Sequence, residues 1–146
     1  MKSESAKIFE NILTSFASTP GMEIPPPVYK VMDAEAIDYV EKQSLTIRFP
    51  MKKEYQNPLG HMQGGVICAA IDNTLGPLSY LVAPPSVTTQ LNTQYVRPVL
   101  PTDKFIDITA MVVDQTKSQI IMRAEVRNEK NKLVAICQAT QQIISR

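Results

Sequence analysis

The segment that most constrains this chain is residues 64–82. Gly64-Gly65 opens it, and Val66, Ile67, Cys68, Ala69, Ala70 and Ile71 follow without a polar break. Asp72, Asn73, Thr74, Leu75, Gly76 and Pro77 come next. A helix that is apolar all round needs cover on nearly every side, so the rest of the chain has to wrap around it. Pro77 lacks an amide hydrogen and its ring crowds the carbonyl four residues back, so it is expected to kink or end the regular part of this helix. Residues 78–82 then form a bent last turn, which Pro84-Pro85 stops.

The cover reads as β-structure. In residues 44–51, Leu45, Ile47, Phe49 and Met51 alternate with Thr46 and Arg48, the pattern of a strand with one wet face. Residues 28–40 read as a strand before it, with Glu41-Lys42-Gln43 as the turn. After the helix, residues 87–96, 104–113, 119–127 and 133–144 read as a four-strand meander, with residues 128–131 as a hairpin turn rich in loop formers. Ahead of all this, Ile8, Phe9, Ile12, Leu13 and Phe16 recur at helical intervals, giving an amphipathic helix over 6–16 that ends near Thr19-Pro20-Gly21. Pro25-Pro26-Pro27 forces extended backbone and reads as a plain linking strap. The expectation is one α+β domain over 1–146: helix and strap in 1–27, and in 28–146 an antiparallel sheet wrapped around one long central helix.

A chain of 146 residues buries a core without staples. Its net charge of +1 argues against nucleic acid, which calls for a concentrated basic patch. The first residues, Met1-Lys2-Ser3-Glu4, mix both charge signs, so no secretory signal is expected. No stretch is expected to be apolar over the length that crosses a bilayer. Cys68 and Cys137 lie among small and aliphatic residues, which suits buried reduced thiols, and no metal-ligand spacing accompanies them. A cytoplasmic location and a site without metal follow as expectations.

Asn57, Gly60, Gln63, Gly64, Gly65 and Asp72, with the later block Tyr95-Val96-Arg97-Pro98, form a pattern in register. It resembles the Asn-x-x-Gly-x-x-His-Gly-Gly…Asp signature of the PaaI-like hotdog-fold thioesterases, over about residue 44 to the C-terminus. The resemblance implies a hotdog fold, hydrolysis of acyl-CoA thioesters with CoA as part of the substrate and no other cofactor, and assembly as a homodimer or tetramer. Gln63 departs from the pattern, standing where that family usually has histidine. A glutamine amide donates a hydrogen bond to a thioester carbonyl but carries no proton through the reaction. Thr88 matches the position where the family has a Ser or Thr that orients the attacking water.

The residue types suit that chemistry. Aspartate is a poor helix-interior residue and a carboxylate among apolar neighbours is costly unless paired. Burial makes such a group a stronger base toward water, or a nucleophile toward the thioester carbon. A structural aspartate bonded to a neighbouring strand is the competing reading. Gly64 and Gly65 supply helix-start amides that have no partner inside the helix, and their missing side chains let a substrate oxygen approach. A sharp loop-to-helix turn would also call for glycine.

Eight residues of helix separate Gly64 from Asp72, about 12 Å along the axis. One thioester carbon does not reach both. The site is therefore expected to straddle a two-fold interface, Gly64 of one subunit facing Asp72 of its mate, which is also the layout of the family's dimers.

Other candidates carry less. Asn57 either shapes its loop or touches substrate. His61, the only histidine, is assigned to the surface or to the mouth of the pocket. Among Arg97, Lys104, Arg123, Arg127, Lys130 and Lys132, only Arg97 is assigned to the CoA phosphates. Met62, Leu75, Leu78 and Tyr80 are candidates for an acyl slot. Two further readings compete with hydrolysis. One is a hotdog protein that binds acyl-CoA without turning it over, favoured by Gln63. The other is a dehydratase or hydratase, which His61 is poorly placed to serve.

Overall fold

The computed structural model describes residues 3–16 and 18–144. Met1, Lys2, Ala17, Ser145 and Arg146, which the N-terminal reading and the expected domain bounds include, lie outside the described residues. In chain order the elements are α1 (Glu4–Ser15), α2 (Pro27–Val31), β1 (Glu35–Val40), β2 (Ser44–Pro50), a 3-10 turn (Lys53–Tyr55), α3 (Gly64–Val82), β3 (Ser86–Tyr95), β4 (Phe105–Gln115), β5 (Gln119–Asn128) and β6 (Leu133–Ile143). The sheet is six-stranded and antiparallel, in the order β1-β2-β4-β5-β6-β3.

This is the hotdog arrangement. Alternate residues of the strands turn inward: Leu45, Ile47 and Phe49 on β2, Ile106, Ile108 and Ala110 on β4, Ile120, Met122, Ala124 and Val126 on β5. All are fully buried. With Ala135, Cys137 and Ala139 of β6 they build one core with Ile67, Ala70, Ile71, Leu75 and Leu78 of α3. The period-two alternation of the strands and the all-round apolarity of the helix thus have the same cause. Helix α1 lies against β1, its Ser3 cap accepting from the Ala6 amide at 3.1 Å and Phe9 stacking 5.7 Å from Tyr39.

Four expectations are corrected. Residues 28–31 are not strand but belong to α2, because Pro27 sits at the first helical position, where its fixed φ and missing donor favour a helix start. Only residues 35–40 of that segment pair as β. The last four strands are not a simple meander. β4, β5 and β6 are consecutive neighbours, whereas β3 crosses to the far edge and pairs with β6. The crossing is made by α3 itself, which lies between β2 and β3 in the chain and leaves only residues 83–85 to link it to β3, and the strand pattern does not record it. Pro77 neither ends α3 nor shortens it; the helix runs unbroken to Val82 with Pro77 buried, so packing on all sides overrides the local penalty. Finally, the 19-residue α3 is long and apolar enough by length and composition to cross a membrane, with a mean hydropathy of 1.3 over an 18-residue window. The sheet covers it instead.

Candidate active site

The loop before α3 is built by Asn57. Its Oδ1 accepts from the amides of Leu59 (2.9 Å) and His61 (3.1 Å), and its backbone carbonyl accepts from Gly60 (2.9 Å). Gly60 has φ +81°, and a Cβ there would meet Pro101 at 3.1 Å, so both conformation and space call for glycine. Gln63 caps the helix through its backbone: its amide donates to Tyr55 O at 2.7 Å, and its carbonyl accepts from Val66 and Ile67. Its side chain makes no capping bond and is exposed.

The Gly64 and Gly65 amides therefore face outward without acceptors among the described residues. Above them sits Tyr95, the last residue of β3, whose hydroxyl donates to Gly64 O at 2.6 Å and lies 3.1 Å from Cys68 Sγ. A Cβ on Gly64 would stand 3.3 Å from the Tyr95 ring and hydroxyl, whereas nothing lies within 4 Å of one on Gly65. Tyr95 is 47% exposed, with its hydroxyl held between Gly64 O and Cys68 Sγ. Partial burial raises the phenol pKa, and the bond with Cys68 raises it further. Tyr95 thus stays a neutral donor. Asn57, His61, Gly64, Tyr95 and Arg97 line one cavity of about 370 Å³.

Asp72 lies two turns further along α3, half-buried, and belongs to a different cavity of about 390 Å³. Thr88 Oγ1 donates to Asp72 Oδ1 at 2.8 Å. A bulge makes this contact possible. The register of β3 against β6 slips between Thr88 and Gln90, leaving Thr89 as an extra residue. Without the slip, Thr88 would share a face with Gln90 and Asn92, which are exposed. With it, Thr88 points inward along with Leu91 and Thr93. β3 then runs antiparallel along α3: Tyr95 touches Gly64, Thr93 meets Cys68 at 3.3 Å, and Thr88 meets Asp72.

The structure thus sorts the expected residues into two groups. Gly64, Asn57, His61 and Arg97 share one cavity, and Asp72 and Thr88 share the other; Gln63 and Gly65 line neither. Asn57 Oδ1 is spent on its own loop. Arg97 donates to Leu133 O at 2.6 Å and also lines a third cavity with Lys130 and Lys132. Arg127 pairs with Glu125 at 3.2 Å. Of the acyl-slot candidates, Leu75 and Leu78 are core, both at 0% exposure; Met62, buried in the loop before α3, lines the Gly64 cavity, and Tyr80 lines the Asp72 cavity.

Three features were not anticipated. Leu13 and the strap residues Met22, Ile24 and Pro26 wall the Asp72 cavity, so the strap is more than a linker. Gln141 lines that cavity from β6. Cys68 is only half-buried, while Cys137 is buried, and both are free thiols. Burial pushes the Cys137 thiol up, partly offset by a bond with Thr93. Among the described residues no group of three or more His, Cys, Asp or Glu side chains converges on a point.

Residues 59–135, just over half the chain, match the thioesterase superfamily. The chain belongs to that superfamily. The matched span covers α3, both glycines, Asp72 and Thr88, and the membership makes the chain a thioester hydrolase. Among solved structures, the PaaI protein of the phenylacetic acid degradation operon of E. coli superposes with TM-score 0.81 at 18% identity, covering 98% of this chain and 97% of that one. Conserved protein PA5202 from Pseudomonas aeruginosa gives 0.72 at 25%, over 82% and 94%. The protein smu.793 from Streptococcus mutans, bound to acetyl CoA, gives 0.72 at 18%, over 77% and 90%. No curated protein sequence matches the enzyme. The likeness in fold to the E. coli PaaI protein extends over nearly the whole chain.

Proposed function

We propose that the enzyme hydrolyses acyl-CoA thioesters to free acid and CoA at a site completed by two copies of the chain. The observation that carries this is the separation of the two cavities: free helix-start amides at Gly64 in one, and the Asp72–Thr88 pair in the other. The unbroken helix between them holds the two about 12 Å apart. Each is half of a hydrolytic site.

A two-fold pairing supplies the missing half. β3 is an edge strand, bonded only to β6, with Thr88 near its start and Tyr95 at its end. Antiparallel pairing of two β3 edges about an axis near Leu91 and Asn92 sets the Thr88 end of one copy beside the Tyr95 end of the other. Gly64 follows Tyr95, and Asp72 follows Thr88, through the contacts described above. Edge strands of this length call for such cover.

In this site the thioester carbonyl oxygen sits at the Gly64 amide, with the Gln63 side chain as a further donor. Asp72 takes a proton from water, using the oxygen that Thr88 leaves free. The water oxygen attacks the thioester carbon, and the negative charge that develops on the carbonyl oxygen meets the helix amides. Collapse breaks the carbon–sulfur bond and releases CoA as thiolate. The acyl group occupies the strap-walled cavity beside Tyr80, and the CoA phosphates run past Arg97 toward Lys130 and Lys132. The binding of acetyl CoA by the S. mutans protein supports this ligand class.

A non-catalytic acyl-CoA-binding role is the second reading, favoured by Gln63 in the family's histidine position. Free-thiol release over a panel of acyl-CoAs separates the two. Turnover by the parent chain that is lost in Asp72→Asn, with CoA still bound, is the expected result. Equal turnover in both proteins contradicts the assignment of Asp72.

A further inference from the structure

Gln141 stands opposite Thr88 as its cross-strand partner on β6. It is 2% exposed, among the most deeply buried polar side chains described. Its Oε1 lies 3.1 Å from Thr88 Oγ1, and its Nε2 is buried with no hydrogen-bond partner among the described residues. Thr88 Oγ1 is also 2.8 Å from Asp72 Oδ1. A hydroxyl has one proton and serves one of these two acceptors at a time.

Counting donors resolves the conflict. An ionised carboxylate only accepts, so Thr88 gives its proton to Asp72. The Thr88 lone pairs then need a donor, and a half-turn of the Gln141 amide brings Nε2 to where Oε1 now lies; the two positions are interchangeable by hydrogen-bond counting. The orphaned N–H gains an acceptor, and the group left unpartnered is a carbonyl oxygen, which buried structure tolerates better. The bulge at Thr89 is what brings Thr88 into reach of both neighbours.

On the hydrolase reading above, we propose that Gln141 is a positioning residue for catalysis: its amide donates to Thr88, committing the Thr88 proton to Asp72. The chain runs Gln141 to Thr88 to Asp72 in one direction. It fixes which carboxylate oxygen faces the substrate side. Gln141 touches no reacting atom.

The test is kinetic. Gln141→Glu keeps the shape but turns the donor into an acceptor that competes with Asp72 for the Thr88 proton. Its kcat is expected to fall at least about tenfold at neutral pH, with KM within about twofold, since a charged acceptor outbids a neutral one. Gln141→Met, which conserves volume, removes the donor only and falls less. In a Thr88→Val background Gln141→Met has no further effect on kcat, because its route to Asp72 is gone. This cycle decides the matter even where Gln141→Glu fails to fold. A folded Gln141→Glu with the parent's kcat overturns the proposal, as does a Gln141→Met loss that multiplies unchanged into Thr88→Val. A parent chain without turnover on any acyl-CoA overturns the hydrolase reading and this one together; an active parent indifferent to Gln141 overturns this one only.

Discussion

Thr88 Oγ1 and Asp72 Oδ1 are 2.8 Å apart, which ties the start of an edge strand to the middle of the central helix. The bond has two consequences. It satisfies a carboxylate that the helix alone leaves stranded, and it spends one carboxylate oxygen, directing the other toward the cavity. Hydrogen bonds to charged groups contribute about 1.5–3 kcal/mol. Thr88→Val keeps the β-branched shape and removes the donor. Steady-state kinetics should show kcat lower by roughly 10- to 100-fold with KM little changed. A change in KM alone contradicts the assigned role.

Gly64 is constrained by Tyr95 as well as by substrate. A methyl group there would lie 3.3 Å from the Tyr95 ring and hydroxyl, so the ring has to give by a few tenths of an ångström, which strains its 2.6 Å bond to the Gly64 carbonyl. Gly64→Ala should lose kcat by about 100-fold, the scale on which oxyanion donors act. Tyr95→Phe, which keeps the ring, should cost about 1 kcal/mol in a urea melt and much less in kcat. Equal kcat losses in both variants would mean that the amide geometry depends on the tyrosine hydroxyl and not on the open space at the glycine.

The strap walls the cavity proposed for the acyl group, where Met22 and Ile24 line it together with Tyr80 and Asp72. Ile24→Trp should move the preferred acyl group to a smaller one in a substrate panel, with kcat on the smallest acyl-CoA nearly unchanged. One methylene in an apolar pocket discriminates by about 10- to 200-fold, so the shift is readable in kcat/KM. An unaltered preference profile would place the acyl group elsewhere.

Much of this was legible in residue order, and what was missed has identifiable physical causes. The central helix announced itself because apolar residues on every side of a helix are affordable only inside a sheet. β2 and β5 were readable by strict alternation. β3 was not fully readable: Thr88 and Thr89 break the alternation, and a bulge shows in sequence only as a phase error. Its edge position was hidden too, since strand order depends on a crossover that side-chain pattern does not record. Gly64 and Asp72 stood out by type and spacing, and the structure places both on one unbroken helix. Gln141 lay far away in sequence within a run of polar residues, and only the β3–β6 register brings it to Thr88. The strap looked like a linker because its prolines report backbone shape and not what the intervening Met22 and Ile24 touch.

The central claim, that one site needs two copies of the chain, is tested most directly by complementation. Gly64→Val and Asp72→Asn are each purified, shown to be folded and inactive, then unfolded, mixed in equal amounts and refolded. A mixed pair carries one intact site, made from the Gly64 of one chain and the Asp72 of the other, so random pairing restores about a quarter of parental turnover. Thiol release near that level is the predicted result. Mixed pairs verified by mass that release no thiol would contradict the shared site.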